Sequence, residues 1–191
     1  GEYVNPVAEE TLGRKVEPEY EILVLEDYRM RHGLYRTDPD LQAAHAAHPW
    51  ITVWDDHEMM NNTWRTGAEN HDEGEGDFFE RINAARQAYH EWMPIRTGAE
   101  GDQGVIYRAF QIGDLADLMM LDTRLVGRDE QLDYAKGIEQ AGSVEAFIKT
   151  DLYNPKRQML GEEQEAWLQQ ALQRSKARGA TWQVLGQQVL M

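Results

Sequence analysis

Apolar residues recur at helical spacing in four stretches of the chain. One stretch follows Asp38-Pro39, a sequence in which aspartate caps a helix and proline takes its first position. Another begins after Asp77, which can also cap a helix, and ends at Pro94. The pattern predicts helices over about 23–37, 40–48, 77–93 and 161–176.

Shorter apolar runs lie between these helices. They predict strands at Trp50–Trp54, Val105–Ile112, Leu118–Asp122 and Trp182–Leu185. Helices that interleave with short buried strands favour a layered α/β fold. In such sheets, ligands gather at the carboxyl ends of the strands. We therefore expect the polar residues that end the strands to form any functional site.

Two regions have weaker patterns. Residues 1–22 are polar, contain Pro6, Gly13 and Pro18, and predict a surface loop. Residues 125–156 are also polar and predict only a partial helix around Val144–Ile148.

The charge of the chain restricts its partners. The 191 residues carry a formal net charge of −15, and 41% of them are hydrophobic, which is enough for the core of one domain. The negative charge argues against nucleic acids and anionic membrane surfaces, because both are bound through Lys and Arg. It would also repel a phosphorylated substrate, unless bound cations reversed the local field.

The chain contains no cysteine, so disulfides and thiolate metal sites within it are excluded. No apolar run approaches the roughly 20 residues of a transmembrane helix, and no signal peptide is recognisable. The sequence opens with Gly1 and ends directly after the apolar run Val189–Met191. Because domains tend to end in polar residues, we expect an excerpt of a longer chain.

The strongest chemical signal is Trp54-Asp55-Asp56-His57-Glu58, at the end of the first predicted strand. Carboxylates and imidazole suit divalent cations, and an imidazole can also protonate a leaving oxygen. The alternative is a polar strand end with a capping aspartate. Burying three acids and one histidine without cations or basic partners is costly, which favours a functional site.

Other candidate residues are less specific. Asn61 could offer an amide oxygen to a metal or simply form a turn. The sequence His57-Glu58-Met59-Met60-Asn61 begins like a zincin motif, but that motif requires histidine at the fifth position, where this chain has Asn61. Asp122-Thr123-Arg124 could present an arginine to an anion or form a structural ion pair. The sequence leaves both readings open.

Several of these segments together resemble the PhoD-like (alkaline phosphatase D) metallophosphoesterase family, over nearly the whole chain. The most specific are Trp54-Asp55-Asp56-His57-Glu58 and Leu121-Asp122-Thr123-Arg124. Further matching segments are Asp27–His32, Tyr35–Leu41, Glu91–Pro94, Leu160-Gly161 with Gln164, and Gly186–Gln188.

The resemblance implies a calcineurin-like metallophosphoesterase sandwich, of which residues 1–191 would be the central part of a single domain. It implies that Asp56 is a metal ligand and that His57 is the acid or substrate-orienting group, with Asp55 and Asn61 as weaker ligand candidates. Iron(III) with calcium is the implied metal set, although other divalent metals are possible. The remaining ligands are expected before Gly1 and after Met191.

The implied reaction is hydrolysis of phosphate mono- or diesters by metal-activated hydroxide. The family resemblance also implies export by the twin-arginine route to the periplasm or the medium. We expect the fragment alone to be inactive. The alternative is a non-catalytic acidic α/β module that uses the same fold to bind a partner. The sequence does not determine the oligomeric state, the physiological ester or the choice between mono- and diester.

Overall fold

The computed structural model describes residues 6–97 and 103–189, which form a mixed α/β structure. Its helices and strands are α1 (Pro6–Leu12), α2 (Leu25–Tyr35), α3 (Pro39–Ala47), α4 (Phe78–Trp92), β1 (Arg108–Ile112), β2 (Ala116–Met120), α5 (Tyr134–Ala141), α6 (Val144–Phe147), a π-helical turn (Ile148–Leu152), α7 (Glu162–Arg178) and β3 (Trp182–Gly186). Among these residues, no helix is long and apolar enough to cross a membrane.

The three strands form one sheet in the order β1-β2-β3. Strands β1 and β2 are antiparallel, with Phe110 opposite Leu118, and are joined by a tight turn in which Gly113 has a φ of +51°. Strand β3 lies parallel to β2, with Val184 opposite Leu118. The connection between these two parallel strands contains α5, α6, the π-helical turn and α7, in agreement with the long crossover that parallel strands require.

The local signals for the main helices are confirmed. Asp38 accepts hydrogen bonds from Asp40 N and Leu41 N at 2.9 and 3.0 Å, which caps α3. Asp77 caps α4 through Glu80 N at 2.9 Å. Helix α7 ends at Gly179, whose left-handed φ of +81° suits a residue without a side chain.

The main core lies between α2, α4 and the loops that follow α3. Tyr28, from α2, is buried and donates its hydroxyl to Met59 O at 2.9 Å. Arg81, from α4, is also buried and donates to Glu21 Oε1 and Glu75 Oε2, both at 2.9 Å. The buried positive charge is therefore paired with two acids, which ties both loops to α4.

The strand predicted at Trp50–Trp54 is wrong: no residue of this segment is in a strand. Strand hydrogen bonds require a neighbouring strand, and none of the described residues provides one here. Side chains hold the segment instead. The indole of Trp54 is fully buried, with its ring 5.6 Å from that of Tyr89, and Thr52 O accepts a hydrogen bond from Arg108 Nη2 at 2.6 Å.

Two weaker expectations are also corrected. Part of the N-terminal segment predicted as loop is the helix α1, in which Pro6 takes the first position, where proline is tolerated. The polar region 125–156 contains α5, α6 and the π-helical turn rather than a single partial helix. Asp133 and Ser143 cap α5 and α6, and these short polar caps were not recognised in the sequence.

Two glycines bring the segment after β2 against the start of α7. A Cβ on Gly127 would lie 2.1 Å from Gly161 N, which the backbone cannot accommodate. We expect Gly127→Ala to lower the free energy of unfolding by about 1–3 kcal/mol or more, because it overpacks a backbone contact. Urea denaturation measures this change.

Gly33→Ala is the matched control. A Cβ at Gly33, within α2, would meet only the Trp92 ring at 3.5 Å. Replacing a helical glycine by alanine there should leave stability unchanged or raise it by about 0.5–1 kcal/mol. Equal loss of stability in the two variants would contradict the close approach of Gly127 and Gly161.

Candidate functional site

The predicted site residues follow Trp54 in a loop that folds around Asp56. Only 6% of Asp56 is exposed. Its Oδ1 accepts a hydrogen bond from His57 N at 3.0 Å and its Oδ2 accepts one from Asn62 N at 2.9 Å. Its main-chain oxygen also accepts from Met59 N at 2.8 Å. The Asp56 carboxylate therefore organises the loop in addition to any chemical role.

Trp54 anchors this loop to the segment that follows β2. The indole Nε1 donates to Asp122 Oδ2 at 3.0 Å. Asp122 Oδ1 accepts from Arg124 N and Leu125 N, both at 2.8 Å. The side-chain amide of Gln164, in α7, pairs with Asp122 N and Asp122 O at 2.8 Å each.

Asp122 is therefore not part of a ligand edge, contrary to the prediction from its position after a strand. Its side chain is fully buried, and both carboxylate oxygens already accept hydrogen bonds. Burial raises the pKa of Asp122, although the bonds from Leu125 N, Arg124 N and the Trp54 indole act in the opposite direction. Its role is to join three segments.

Arg124 lies against the acid pair, which resolves the two readings left open for it in favour of an ion pair. Its Nε donates to Asp55 Oδ1 at 2.6 Å, across 69 residues of sequence. Its Nη2 lies 3.6 Å from Asp56 Oδ1. Arg124 and Asp56 are both buried, whereas the Asp55 side chain is 47% exposed, so the guanidinium joins a buried carboxylate to one that reaches solvent.

His57 lies at the surface of the same loop, next to Asn61. Its Nε2 is 2.9 Å from Asn61 Oδ1 and 3.7 Å from Asp56 Oδ2. Because Asn61 Nδ2 donates to Glu69 Oε2 at 3.1 Å, Asn61 Oδ1 is the acceptor and His57 Nε2 carries the proton in this contact. The His57 side chain is 41% exposed, so an external molecule can reach it.

A cavity of about 290 Å³ opens beside His57. It is lined by Ile22, Tyr28, Arg31, His32, Tyr35, His57 and Glu58. Burial, and then the nearby charge of Arg36, lower the pKa of His32 to about 4. His32 is therefore a neutral wall of this cavity at neutral pH, whereas Arg31 and Glu58 bring one charge of each sign.

Residues 1–191 match the sequence model of the family described as PhoD-like phosphatase. The chain belongs to the PhoD-like phosphatase family. It is 42% identical over 171 residues to alkaline phosphatase D of Bacillus subtilis (strain 168), an alignment that covers 88% of this chain and 27% of that protein. The chain thus spans about a quarter of the length of this PhoD-like relative.

A solved structure of PhoD has the same fold over the shared part. The superposition has a TM-score of 0.73 and 36% sequence identity, and it covers 92% of this chain and 32% of that one. The predicted fold class, a partial calcineurin-like α/β structure, is confirmed by this likeness. That residues 1–191 are the central part of one PhoD-like domain stays a prediction.

The described residues do not by themselves fit a metal centre of the kind expected for a PhoD-like phosphatase. Residues 6–97 and 103–189 contain no group of three or more His, Cys, Asp or Glu side chains close enough to hold a metal ion. Both oxygens of Asp56 accept backbone hydrogen bonds, Asp55 is paired with Arg124, and the Asn61 amide oxygen faces His57. The roles of Asp55, Asp56 and Asn61 as ligands, and of His57 as acid, stay predictions.

Sequence reasoning missed the partners of these residues. It recognised Leu121-Asp122-Thr123-Arg124 as a motif but could not pair Arg124 with Asp55, or Trp54 with Asp122, because each pair is separated by almost 70 residues. The signal available in the sequence was the excess of acidic residues at the end of an apolar segment. Such acids require a nearby cation when they are buried, and Arg124 is that cation.

The Asp122 junction yields a stability prediction. Asp122→Ala removes the acceptor of three buried N–H groups, each of which costs about 1–3 kcal/mol when left unpaired. We expect a loss of about 3 kcal/mol or more in the free energy of unfolding, measured by urea denaturation. Asp133→Ala, which removes an exposed helix cap, should cost only about 1 kcal/mol. Similar losses in both variants would contradict the junction.

His32 yields a pH prediction. Its pKa is lowered from its ordinary value of 6.5 to about 4 in the folded chain. The stabilisation of the folded state by neutral His32 is therefore fully present above pH 6.5. It is lost as the pH falls from 6.5 towards 4, because in this range His32 binds a proton in the unfolded chain but not in the folded chain. We expect stability to fall less steeply across this window in His32→Gln, measured by urea denaturation at several pH values. An unchanged slope would contradict the burial of a neutral His32.

Proposed function

We propose that, in the full-length protein that contains these residues, this chain provides one side of the active site of a metal-dependent phosphoric ester hydrolase. The observation that carries the proposal is the joint position of Asp56 and His57 in a PhoD-like chain. Asp56 is fixed and nearly buried, whereas His57 beside it is reachable from solvent. A fixed carboxylate beside an accessible imidazole suits a site that binds a cation and transfers a proton.

His57 would act as the general acid, or orient the substrate. An imidazole can give a proton to a leaving oxygen within hydrogen-bond reach. Its Nε2 contact with Asn61 Oδ1, at 2.9 Å, supports this role because it holds the protonated nitrogen in a defined direction. A leaving oxygen of the substrate would replace Asn61 Oδ1 as the acceptor of the His57 Nε2 proton, or would accept that proton together with it.

Asp56 would be the main metal ligand of this chain, with Asp55 and Asn61 as weaker candidates. We infer iron(III) and calcium as the metal set, although other divalent metals are possible. Such ions would supply positive charge that offsets the net charge of −15 and attracts a phosphate group. Because the described residues supply too few ligands, the proposal requires further ligands from other parts of the protein.

The substrate class that follows is a phosphate mono- or diester, and we propose that the protein acts after export, in the periplasm or the medium. The non-catalytic alternative, an acidic module that binds a partner, is not favoured. A family member that had lost catalysis would not need to keep both Asp56 and His57. The matching family is also one of phosphatases, which favours a catalytic role.

Kinetics of the full-length protein test the role of His57. With bis(p-nitrophenyl) phosphate as substrate, His57→Ala should lower kcat by about 10²–10⁴-fold, the usual contribution of a general acid. Metal content, measured by elemental analysis, should be retained. His48→Ala, which alters an exposed imidazole at the end of α3, should leave kcat unchanged. A negligible effect of His57→Ala would remove the acid role.

Metal analysis tests the role of Asp56. Asp56→Asn should lower both the metal content and the activity of the full-length protein, because the amide cannot supply the negative charge of a ligand. The 191-residue chain alone should bind metal poorly and hydrolyse nothing measurable. Unchanged metal content in Asp56→Asn, or turnover by the isolated chain, would contradict the proposal.

A further inference from the structure

We propose that Arg124 is a positioning residue of the phosphoesterase site, which holds the Asp55 and Asp56 carboxylates in a fixed mutual arrangement. The inference rests on the proposed function for its meaning. Its structural basis is the contact itself, with Arg124 Nε at 2.6 Å from Asp55 Oδ1 and Arg124 Nη2 at 3.6 Å from Asp56 Oδ1. One rigid guanidinium thus engages two consecutive carboxylates.

The main chain that carries this guanidinium is itself held in place. Arg124 N donates to Asp122 Oδ1, and Asp122 Oδ2 accepts from the Trp54 indole, which directly precedes Asp55 in sequence. The contacts therefore close a ring from Trp54 through Asp122 and Arg124 back to Asp55. Because the backbone of Arg124 is fixed beside the acid loop, its side chain loses less freedom when it orients the acids, and the arrangement is therefore preorganised.

The charges also require such a partner. Two adjacent carboxylates repel each other, and Asp56 is almost entirely removed from water. Arg124, with a side chain 8% exposed, places a permanent positive charge between them. Arg128 is a second cation nearby: burial lowers its pKa and so does the charge of Arg124, while the charges of Asp56 and Asp55 raise it.

Lysine could not reproduce this arrangement. Its single ammonium can approach one carboxylate but lacks the planar fork that reaches both. A purely structural role for Arg124, by contrast, would affect only the amount of folded protein. The two roles therefore differ in the activity of each folded molecule, which is the quantity that the experiment measures.

The test compares Arg124→Gln and Arg124→Lys with the wild type in the full-length protein. Arg178→Gln is the matched control. Arg178 Nη2 also pairs with an aspartate, Asp117 Oδ1, at 2.8 Å, but neither residue belongs to the loop that contains Asp55 and Asp56. The assay follows hydrolysis of bis(p-nitrophenyl) phosphate, with kcat expressed per folded molecule from circular dichroism. Thermal unfolding reports stability separately.

We expect Arg124→Gln to lower kcat per folded molecule by about 100-fold, as a misplacement of about 1 Å would, with KM little changed. Arg124→Lys should recover only part of this loss, and Arg178→Gln should leave kcat unchanged. Wild-type kcat per folded molecule in both Arg124 variants would overturn the positioning role alone. An inactive wild type would overturn the proposed function and this role together.

Discussion

The hydrogen bond between the Trp54 indole and Asp122 is the interaction on which the candidate site depends. It lies in a fully buried region and links two segments separated by 68 residues. On one side it fixes the start of the acid loop, and on the other it fixes the turn that presents Arg124. A buried carboxylate that accepts several N–H groups stabilises such a junction more than a surface pair would. The geometry of Asp55, Asp56 and Arg124 follows from it.

Much of the fold could be predicted from local signals. Helices α3, α4 and α7 were recognisable because their caps and apolar spacing are properties of a few consecutive residues. The strand prediction at Trp50–Trp54 is wrong because an apolar run is typical both of a strand and of a buried segment without strand hydrogen bonds. Here the contacts of neighbouring side chains hold the segment in place. A strand forms only where a neighbouring strand provides hydrogen bonds, and an apolar run of sequence does not by itself indicate whether such a strand lies beside it.

The candidate site was predictable only in part. The acids and the histidine were evident from their succession after an apolar run, and the structure brings Asp55, Asp56, His57 and Asn61 into one loop. Asp122 was expected at the same edge but is buried, because its position after β2 says nothing about where its side chain points. The pairing of Arg124 with the acids is a long-range contact and has no local signature.

The chain belongs to the PhoD-like phosphatase family and covers 27% of the length of its relative. Because residues 6–97 and 103–189 contain no group of three potential metal ligands, the proposed metal site requires ligands from other parts of the protein. We propose that Asp56 binds a metal ion of the site and that His57 faces the phosphate group of the substrate. The most direct measurement is a crystal structure of the full-length protein with metal ions and orthovanadate. We expect a metal ion in coordination contact with the Asp56 carboxylate and a vanadate oxygen within hydrogen-bond distance of His57 Nε2. Metal and vanadate bound elsewhere, with Asp56 and His57 contacting only protein groups, would contradict it.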